Sequence, residues 1–220
     1  MVTRLSQGRS LIAAAVYLVL GAVGISFAIA PSYASPIFPA AGFAVAFLLW
    51  AGQRSWPAIF LGSLAMNLGI VLLHGNLGWR SAALAVGIAT GATLQALAGR
   101  WWVVRGVKDA WQTLEDERTI VRCLALAGPL ACLIAPSIAV PLLYWAQLVP
   151  GAACLYAWLN WWFGDMMGVL IVLPLSLAVF YHRQALWRGR LTTLMLPMLV
   201  ALGLVGAAFV FSTEWERSFL

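Results

Sequence analysis

The segment Trp158-Leu-Asn-Trp-Trp-Phe-Gly-Asp165-Met-Met-Gly168 decides the fold class, because it sets a carboxylate near the middle of a long apolar run. That run extends from Ala152 to Tyr181 and is more than long enough for one helix to cross a bilayer. A carboxylate at the bilayer centre costs about 2.5–3.5 kcal/mol on insertion scales. We therefore expect Asp165 to face protein or a water-filled cavity rather than acyl chains.

The composition is that of an integral membrane protein. Of the 220 residues, 63% are hydrophobic and 9% are charged, whereas soluble domains carry about 25% charged residues. The net charge of +6 does not indicate nucleic-acid binding, because the basic residues lie at the ends of apolar runs. In that position they determine the orientation of the segments in the membrane. The first apolar run is too long for a cleavable signal peptide and predicts the first span.

Apolar segments of spanning length predict an all-α, polytopic bundle of about seven transmembrane helices. The segments are Ser10–Ala30, Ile37–Gly52, Trp56–Leu73, Trp79–Trp102, Thr119–Ala146, Ala152–Phe180 and Leu191–Ser212. The second segment is short. If it were re-entrant rather than spanning, the topology of everything after it would invert.

The distribution of positive charge favours seven crossings with a cytoplasmic N-terminus and a periplasmic C-terminus. Eleven basic residues then lie inside, namely Arg4, Arg9, Arg54, Arg100, Arg105, Lys108, Arg118, Arg122, Arg183, Arg188 and Arg190. Two, Arg80 and Arg217, lie outside. Short cytoplasmic loops of bacterial inner-membrane proteins carry this bias. We therefore predict a multi-pass protein of the bacterial inner membrane.

Asp165 shares one helix face with aromatic and small residues. At three- and four-residue spacing that face holds Trp158, Trp161, Asp165, Gly168 and Val172. Two interpretations stay open. The face could line a polar pocket in which Asp165 binds a ligand, an ion or a proton, or Asp165 could be a structural carboxylate that accepts hydrogen bonds from an adjacent span.

Other spans contribute further candidates for the bundle interior. The fourth span carries Gly87, Gly91, Gln95 and Gly99 on one stripe, which favours close helix packing with an amide able to hydrogen-bond across it. We expect Gly168 to pack closely in the same way. The candidates for a signal pocket or helix pivot are Asp165, Trp161, Trp158, Asn160, Asn67 and Gln95.

No metal site, cofactor or catalytic centre is expected. His74 and His182 are predicted at opposite faces of the membrane. Cys123 and Cys132 are separated by about 13 Å of helical rise and cannot form a disulfide in place, while Cys154 is predicted near the outer face. The chain has no nucleophile elbow, phosphate loop or metalloprotease motif. We therefore interpret this segment as non-enzymatic.

Four stretches, taken in their order along the chain, carry a resemblance to a known family. They are Phe38-Pro-Ala-Ala-Gly-Phe-Ala-Val-Ala46, Trp56-Pro-Ala-Ile-Phe-Leu-Gly62 with Asn67, Gly91-Ala-Thr-Leu-Gln-Ala-Leu-Ala-Gly99, and Trp161-Trp-Phe-Gly-Asp165-Met-Met-Gly-Val-Leu170 with Pro174. Together they resemble the first membrane-associated sensor (MASE) family of bacteria. Asp165 and Asn67 match the family pattern. The family often has Glu where this chain has Gln95, so a carboxylate role for the fourth span is not carried over.

The resemblance implies a sensory input domain of a histidine kinase or a cyclic-di-GMP turnover enzyme, whose output domain is not in this chain. It also implies a homodimer and, in some members, an extracytoplasmic CHASE ligand-binding domain. We interpret residues 1–212 as the membrane sensory domain, and residues 213–220 as the start of an extracytoplasmic segment or a short tail. The expected partners are the lipid bilayer and an unidentified small molecule or membrane protein, with no nucleic acid.

A second class of function stays open, that of a small-molecule transporter or its substrate-binding membrane component. Trp-rich and Gly-rich bundles of six or seven spans suit such a carrier. Internal repeats would favour it, and the two halves of the sequence show no convincing self-similarity.

Overall fold

The computed structural model describes residues 7–27, 35–73, 78–112, 114 and 116–181. Every regular element in these ranges is helical. The α-helices are α1 (Gln7–Ser26), α2 (Pro39–Ala51), α3 (Trp56–Leu73), α4 (Trp79–Val107), α5 (Glu117–Ala125), α6 (Ile134–Trp145) and α7 (Cys154–Phe180). The predicted seventh span Leu191–Ser212, the predicted segment 213–220, and His74 and His182 lie outside the described residues.

Five helical stretches in the described ranges are long and apolar enough to cross a membrane. They are Gly8–Ser26, Gln53–Leu73, Trp79–Gln112, Glu117–Trp145 and Gly151–Phe180. They correspond to the first, third, fourth, fifth and sixth predicted segments, so the prediction of a multi-pass helical bundle is confirmed. The remaining apolar helix, α2, has 13 residues and a length of about 20 Å, which is less than the hydrocarbon core of about 30 Å.

Helix α2 lies in the centre of the bundle. All of its residues except Trp50 are buried, and it packs against α1, α4 and α7. Its sequence, Pro-Ala-Ala-Gly-Phe-Ala-Val-Ala-Phe-Leu-Leu-Trp-Ala, is apolar on every face and has no charged residue. A helix that is hydrophobic all round is a buried helix, and here neighbouring helices supply the cover.

Glycines let α2 and α7 approach backbone to backbone. A Cβ atom added at Gly168 would lie 1.9 Å from the carbonyl oxygen of Phe38, and one added at Gly42 would lie 2.3 Å from the carbonyl oxygen of Gly168. The N–H of Phe38 also donates to the carbonyl oxygen of Gly164 at 2.9 Å. The start of α2 is therefore fixed against the middle of α7.

The contacts define the directions of the helices. α1, α3 and the α5–α6 stretch run one way, and α2, α4 and α7 run the other way. The pairs that establish these directions are Gly24 with Phe38, Gly62 with Ala14, Gly21 with Met66, Gly87 with Leu142, Gly106 with Leu126, Gly128 with Met166, and Trp50 with Phe180. Helical stretches that follow one another along the chain are thus antiparallel, with α5 and α6 forming a single stretch.

The long stretch Glu117–Trp145 is helical throughout but not α-helical throughout. A π-helical turn, Leu126–Leu130, and a 3-10 turn, Ala131–Leu133, separate α5 from α6. Pro129 lies in the π-helical turn, and because proline has no N–H it cannot continue the α-helical hydrogen bonding. The carbonyl oxygen of Pro129 instead accepts a hydrogen bond from Nε1 of Trp162 at 2.9 Å.

Candidate functional site

Asp165 is the centre of a hydrogen-bonded link between three helical stretches. Its side chain, on α7, is 3% exposed. Oδ2 accepts a hydrogen bond from Nε2 of Gln95 on α4 at 2.9 Å. Oε1 of the same amide accepts from the backbone N–H of Ala135 on α6 at 3.1 Å. Gln95 thus uses both ends of its amide to join the carboxylate of α7 to the backbone of α6.

The N–H of Ala135 is available because of where α6 begins. Ala135 lies in the first turn of α6, directly after the π-helical and 3-10 turns. The first N–H groups of a helix lack partners inside that helix, and Ala135 is buried at 4% exposure. Oε1 of Gln95 supplies an acceptor for this N–H, so the polar link lies directly beside the helix irregularity.

Small residues allow these helices to approach closely enough for the link. The four glycines predicted at helix contacts each face a residue of another helix: Gly87 faces Leu142, Gly91 faces Ile138, Gly99 faces Val45, and Gly168 faces Phe38. Three of these glycines lie on the stripe of α4 that also holds Gln95. The stripe therefore brings the amide within hydrogen-bond distance of both partners.

A cavity of about 220 Å³ adjoins the link. Its polar lining comes from five helices or their flanking segments and consists of Tyr17, Ser35, Ser63, Asn67, Ser81, Gln95 and Asp165. The remaining lining residues are apolar or aromatic, and none of the described ones is Lys, Arg or His. The cavity extends past Val71 and Ser81, where α3 ends and α4 begins, and so reaches towards one end of the bundle.

One oxygen of the carboxylate remains without a partner. Oδ1 of Asp165 is buried and makes no hydrogen bond to any described residue. A buried acceptor that is left unpaired costs about 1–3 kcal/mol, and more if it is charged. An unpaired carboxylate oxygen beside a cavity indicates a site that a donor from outside the chain would complete.

The structure brings four of the six predicted pocket or pivot residues to the cavity, namely Asp165, Gln95, Asn67 and Trp161. Nδ2 of Asn67 also donates to the carbonyl oxygen of Ser63 in its own helix at 2.8 Å. Trp158 lies beside the cavity rather than in its lining. Its Nε1 donates to Oγ of Ser137 at 3.1 Å, and its ring stacks on Trp162. Asn160 is half-buried and also lies outside the cavity lining.

Tyr17 and Trp162 are among the participants that were not predicted from the sequence. Tyr17 is 1% exposed and brings a hydroxyl to the cavity from α1. Trp162, on α7, donates a hydrogen bond from Nε1 to the carbonyl oxygen of Pro129 in the π-helical turn. A signal for each was present: a lone tyrosine inside the first apolar segment, and three prolines inside the fifth. A phenol or an indole in an apolar run is nevertheless equally typical of lipid-facing positions.

Metal binding has no support in the described part of the chain, where no group of three or more His, Cys, Asp or Glu residues comes together. Cys123, Cys132 and Cys154 are free thiols. The site therefore consists of one carboxylate, one carboxamide, several hydroxyl groups and an aromatic wall. Such a set can bind, orient and change its hydrogen bonding, but it holds no nucleophile paired with a base.

The fold and the site together define a class, that of a polytopic membrane helix bundle with a buried polar centre. Residues 9–216 match the model of the MASE1 family, a membrane-associated sensor domain. The chain therefore belongs to the MASE1 family, and the resemblance deduced from its motifs is confirmed. No curated protein and no solved structure matches the chain. Membership gives this segment a membrane sensory role rather than a catalytic one.

Proposed function

We propose that this chain is the sensory input domain of a bacterial inner-membrane signalling protein, with an output domain of the histidine kinase or cyclic-di-GMP turnover type. The family membership supports the sensory role. The observation that carries the mechanism is the link from Asp165 through Gln95 to Ala135, which joins three helical stretches at the edge of a cavity. We expect the protein to act as a homodimer, as signalling proteins of this kind do.

The link suits a two-state switch because a single amide joins all three helical stretches, whereas the hydrogen bonds of Trp158 and Trp162 each join only two. A hydrogen bond to a charged group contributes about 1.5–3 kcal/mol. If this bond forms in one arrangement of the bundle and is broken in the other, the equilibrium between the two arrangements shifts by about ten- to a hundredfold. The π-helical turn beside it supports the same interpretation, because such turns occur frequently at functional sites. A signal in the cavity would thus change how α4, α6 and α7 sit against one another.

The proposed topology has seven crossings, a cytoplasmic N-terminus and a periplasmic C-terminus. The antiparallel order of successive helices supports it, and so does α2, which begins beside Gly24 near the end of α1 and ends in a groove shared with Arg9 near the start of α1. The uneven division of basic residues along the sequence is the second support. Under this topology the cavity reaches towards the periplasmic end of the bundle.

The topology is tested by fusing alkaline phosphatase or a fluorescent protein after Leu220 in a bacterial inner membrane. Phosphatase activity without fluorescence is expected for seven crossings. Fluorescence without phosphatase activity would mean an even number of crossings and would overturn the proposed orientation.

The sensory mechanism is tested with Asp165→Asn in the full-length protein, by measuring the activity of the output domain and the amount of protein in the membrane. Asparagine keeps the shape of the side chain and an acceptor for Gln95 but removes the charge. We expect altered output activity at unchanged membrane abundance. Asp109→Asn, which makes the same chemical change in the 3-10 turn after α4, is the matched control. Loss of the folded protein in Asp165→Asn alone would instead assign Asp165 a structural role.

A further inference from the structure

We propose that the cavity binds a small lipophilic primary ammonium ion, whose charged head completes the hydrogen bonding of Asp165. This inference rests on the proposed sensory function and specifies the chemical class of the ligand. Three properties of the cavity carry it: the unpaired carboxylate oxygen, the absence of a cation in the described lining, and the size and aromatic content of the apolar wall.

The carboxylate is the first argument. Asp165 has one oxygen bonded to Gln95 and the other, Oδ1, without a partner among the described residues. A buried carboxylate needs a paired cation or further donors. Arg100, five positions further along α4 than Gln95, is absent from the cavity lining, and its Nε donates to the carbonyl oxygen of Leu48. A primary ammonium ion brings both the missing charge and three N–H donors.

The polar groups around Oδ1 suit such a head group. An ammonium ion bonded to Asp165 has two further N–H donors to satisfy. Acceptors lie in the same lining, because the hydroxyl oxygens of Tyr17 and Ser63 and the amide of Asn67 all border the cavity. A neutral alcohol would supply one donor and leave the charge uncompensated.

The apolar wall limits the size and nature of the rest of the ligand. A dry cavity of about 150 Å³ is known to bind benzene, so 220 Å³ suits a molecule of about nine non-hydrogen atoms. Phe38 and Trp161 join Tyr17 in the lining, and aromatic faces attract cations as well as apolar groups. These features favour an aryl or short alkyl chain attached to the amine.

The test uses the full chain in lipid nanodiscs and three probes of nearly equal size: 2-phenylethylamine, 2-phenylethanol and ethylbenzene. Binding is followed by the change in intrinsic tryptophan fluorescence, because Trp161 lines the cavity. We expect the amine to bind the unaltered chain at least ten times more tightly than the alcohol. In Asp165→Asn we expect that preference to fall to about twofold or less.

A second variant keeps the inference testable if Asp165→Asn does not fold. Ala92 borders the cavity and makes none of the hydrogen bonds of the link, so Ala92→Leu narrows the cavity while leaving Asp165 and Gln95 intact. It should weaken binding of all three probes at least tenfold. An equal preference for amine over alcohol in the unaltered chain and in Asp165→Asn would overturn the inference, as would unchanged binding in Ala92→Leu.

The outcomes also separate this inference from the proposed function. Altered output in Asp165→Asn together with no amine preference would reject the ammonium ligand and retain the sensory domain. Amine binding that depends on Asp165, with output unaffected by either amine or substitution, would retain the site and reject its sensory role. Equal binding of alcohol and amine would mean that Asp165 acts as a neutral hydrogen-bonding group, which rejects the ammonium ligand.

Discussion

Replacing Gly168 with alanine adds one methyl group at the tightest contact in the bundle. The new Cβ atom would lie 1.9 Å from the carbonyl oxygen of Phe38, whereas ordinary contacts begin at 3.4 Å. The clashing atom belongs to the backbone, so no side-chain rotation relieves the overlap. α2 and α7 must therefore separate locally by about 1.5 Å, the difference between these two distances.

The magnitude follows from overpacking. Forcing extra atoms into a well-packed interior costs about 1–3 kcal/mol, while alanine gains up to about 1 kcal/mol over glycine in helix propensity. Compared with a glycine-to-alanine change in a helix that meets no clash, we expect the free energy of unfolding to be lower by about 1–3 kcal/mol, which corresponds to a melting temperature lower by about 2–12 °C for a chain of this size. Asp165 lies one turn from Gly168, so the separation should also weaken its bond to Gln95.

The assay is unfolding in detergent by increasing dodecyl sulfate, followed by tryptophan fluorescence. Gly69→Ala is the matched control, since Gly69 is in α3 and a Cβ atom there would meet nothing within 4 Å. The control should be as stable as the unaltered chain or slightly more stable. Equal stability of Gly168→Ala and Gly69→Ala would refute the backbone contact between α2 and α7.

Two further predictions concern the α5–α6 stretch. Trp162→Phe removes the donor to the carbonyl oxygen of Pro129, so we expect about 1 kcal/mol lower stability in the same unfolding assay; unchanged stability would show that the bond contributes nothing. Asp116 caps α5, and hydrogen bonds from the Thr119 hydroxyl and N–H lower the pKa of its carboxyl group. The Asp116 carboxylate therefore caps α5 fully at pH values above the ordinary aspartate pKa of about 3.9. The cap is lost as the pH falls through the lowered pKa of this group. Amide exchange at Thr119 should accelerate on acidification more in the unaltered chain than in Asp116→Asn, and an equal acceleration would contradict the cap.

The sequence predicted which side chains lie inside the bundle. It was less informative about which of these side chains contact each other. Asp165 and Gln95 were both expected inside the bundle, because a carboxylate is costly in lipid and an amide on a glycine stripe favours helix contact. Their hydrogen bond requires α4 and α7 to be neighbours. The residue pattern within one helix does not show which other helix lies beside it. The acceptor role of Gln95 towards Ala135 depends on a helix irregularity that hydropathy cannot detect.

For α2, the sequence predicted the helix itself but not which helices surround it. Hydropathy placed a short apolar segment at Ile37–Gly52, and the structure has a helix there, at Pro39–Ala51. A sequence that is apolar on all faces carries no stripe to indicate which side meets protein. Its close contact with α7 depends on the glycines at positions 42, 164 and 168, which lie far apart in the chain, and α1 and α4 cover its other sides.

The enclosed position of α2 has a consequence for biogenesis. This helix leaves the ribosome second, yet the neighbour against which its backbone fits, α7, is the last of the described helices to be made. With about 20 Å of length and no polar residue to anchor it, α2 gains its fixed place only when α7 arrives. A nascent chain that stops before Gly164 should leave this helix exposed to chaperones and membrane proteases, so that assembly is completed from the C-terminal side of the domain.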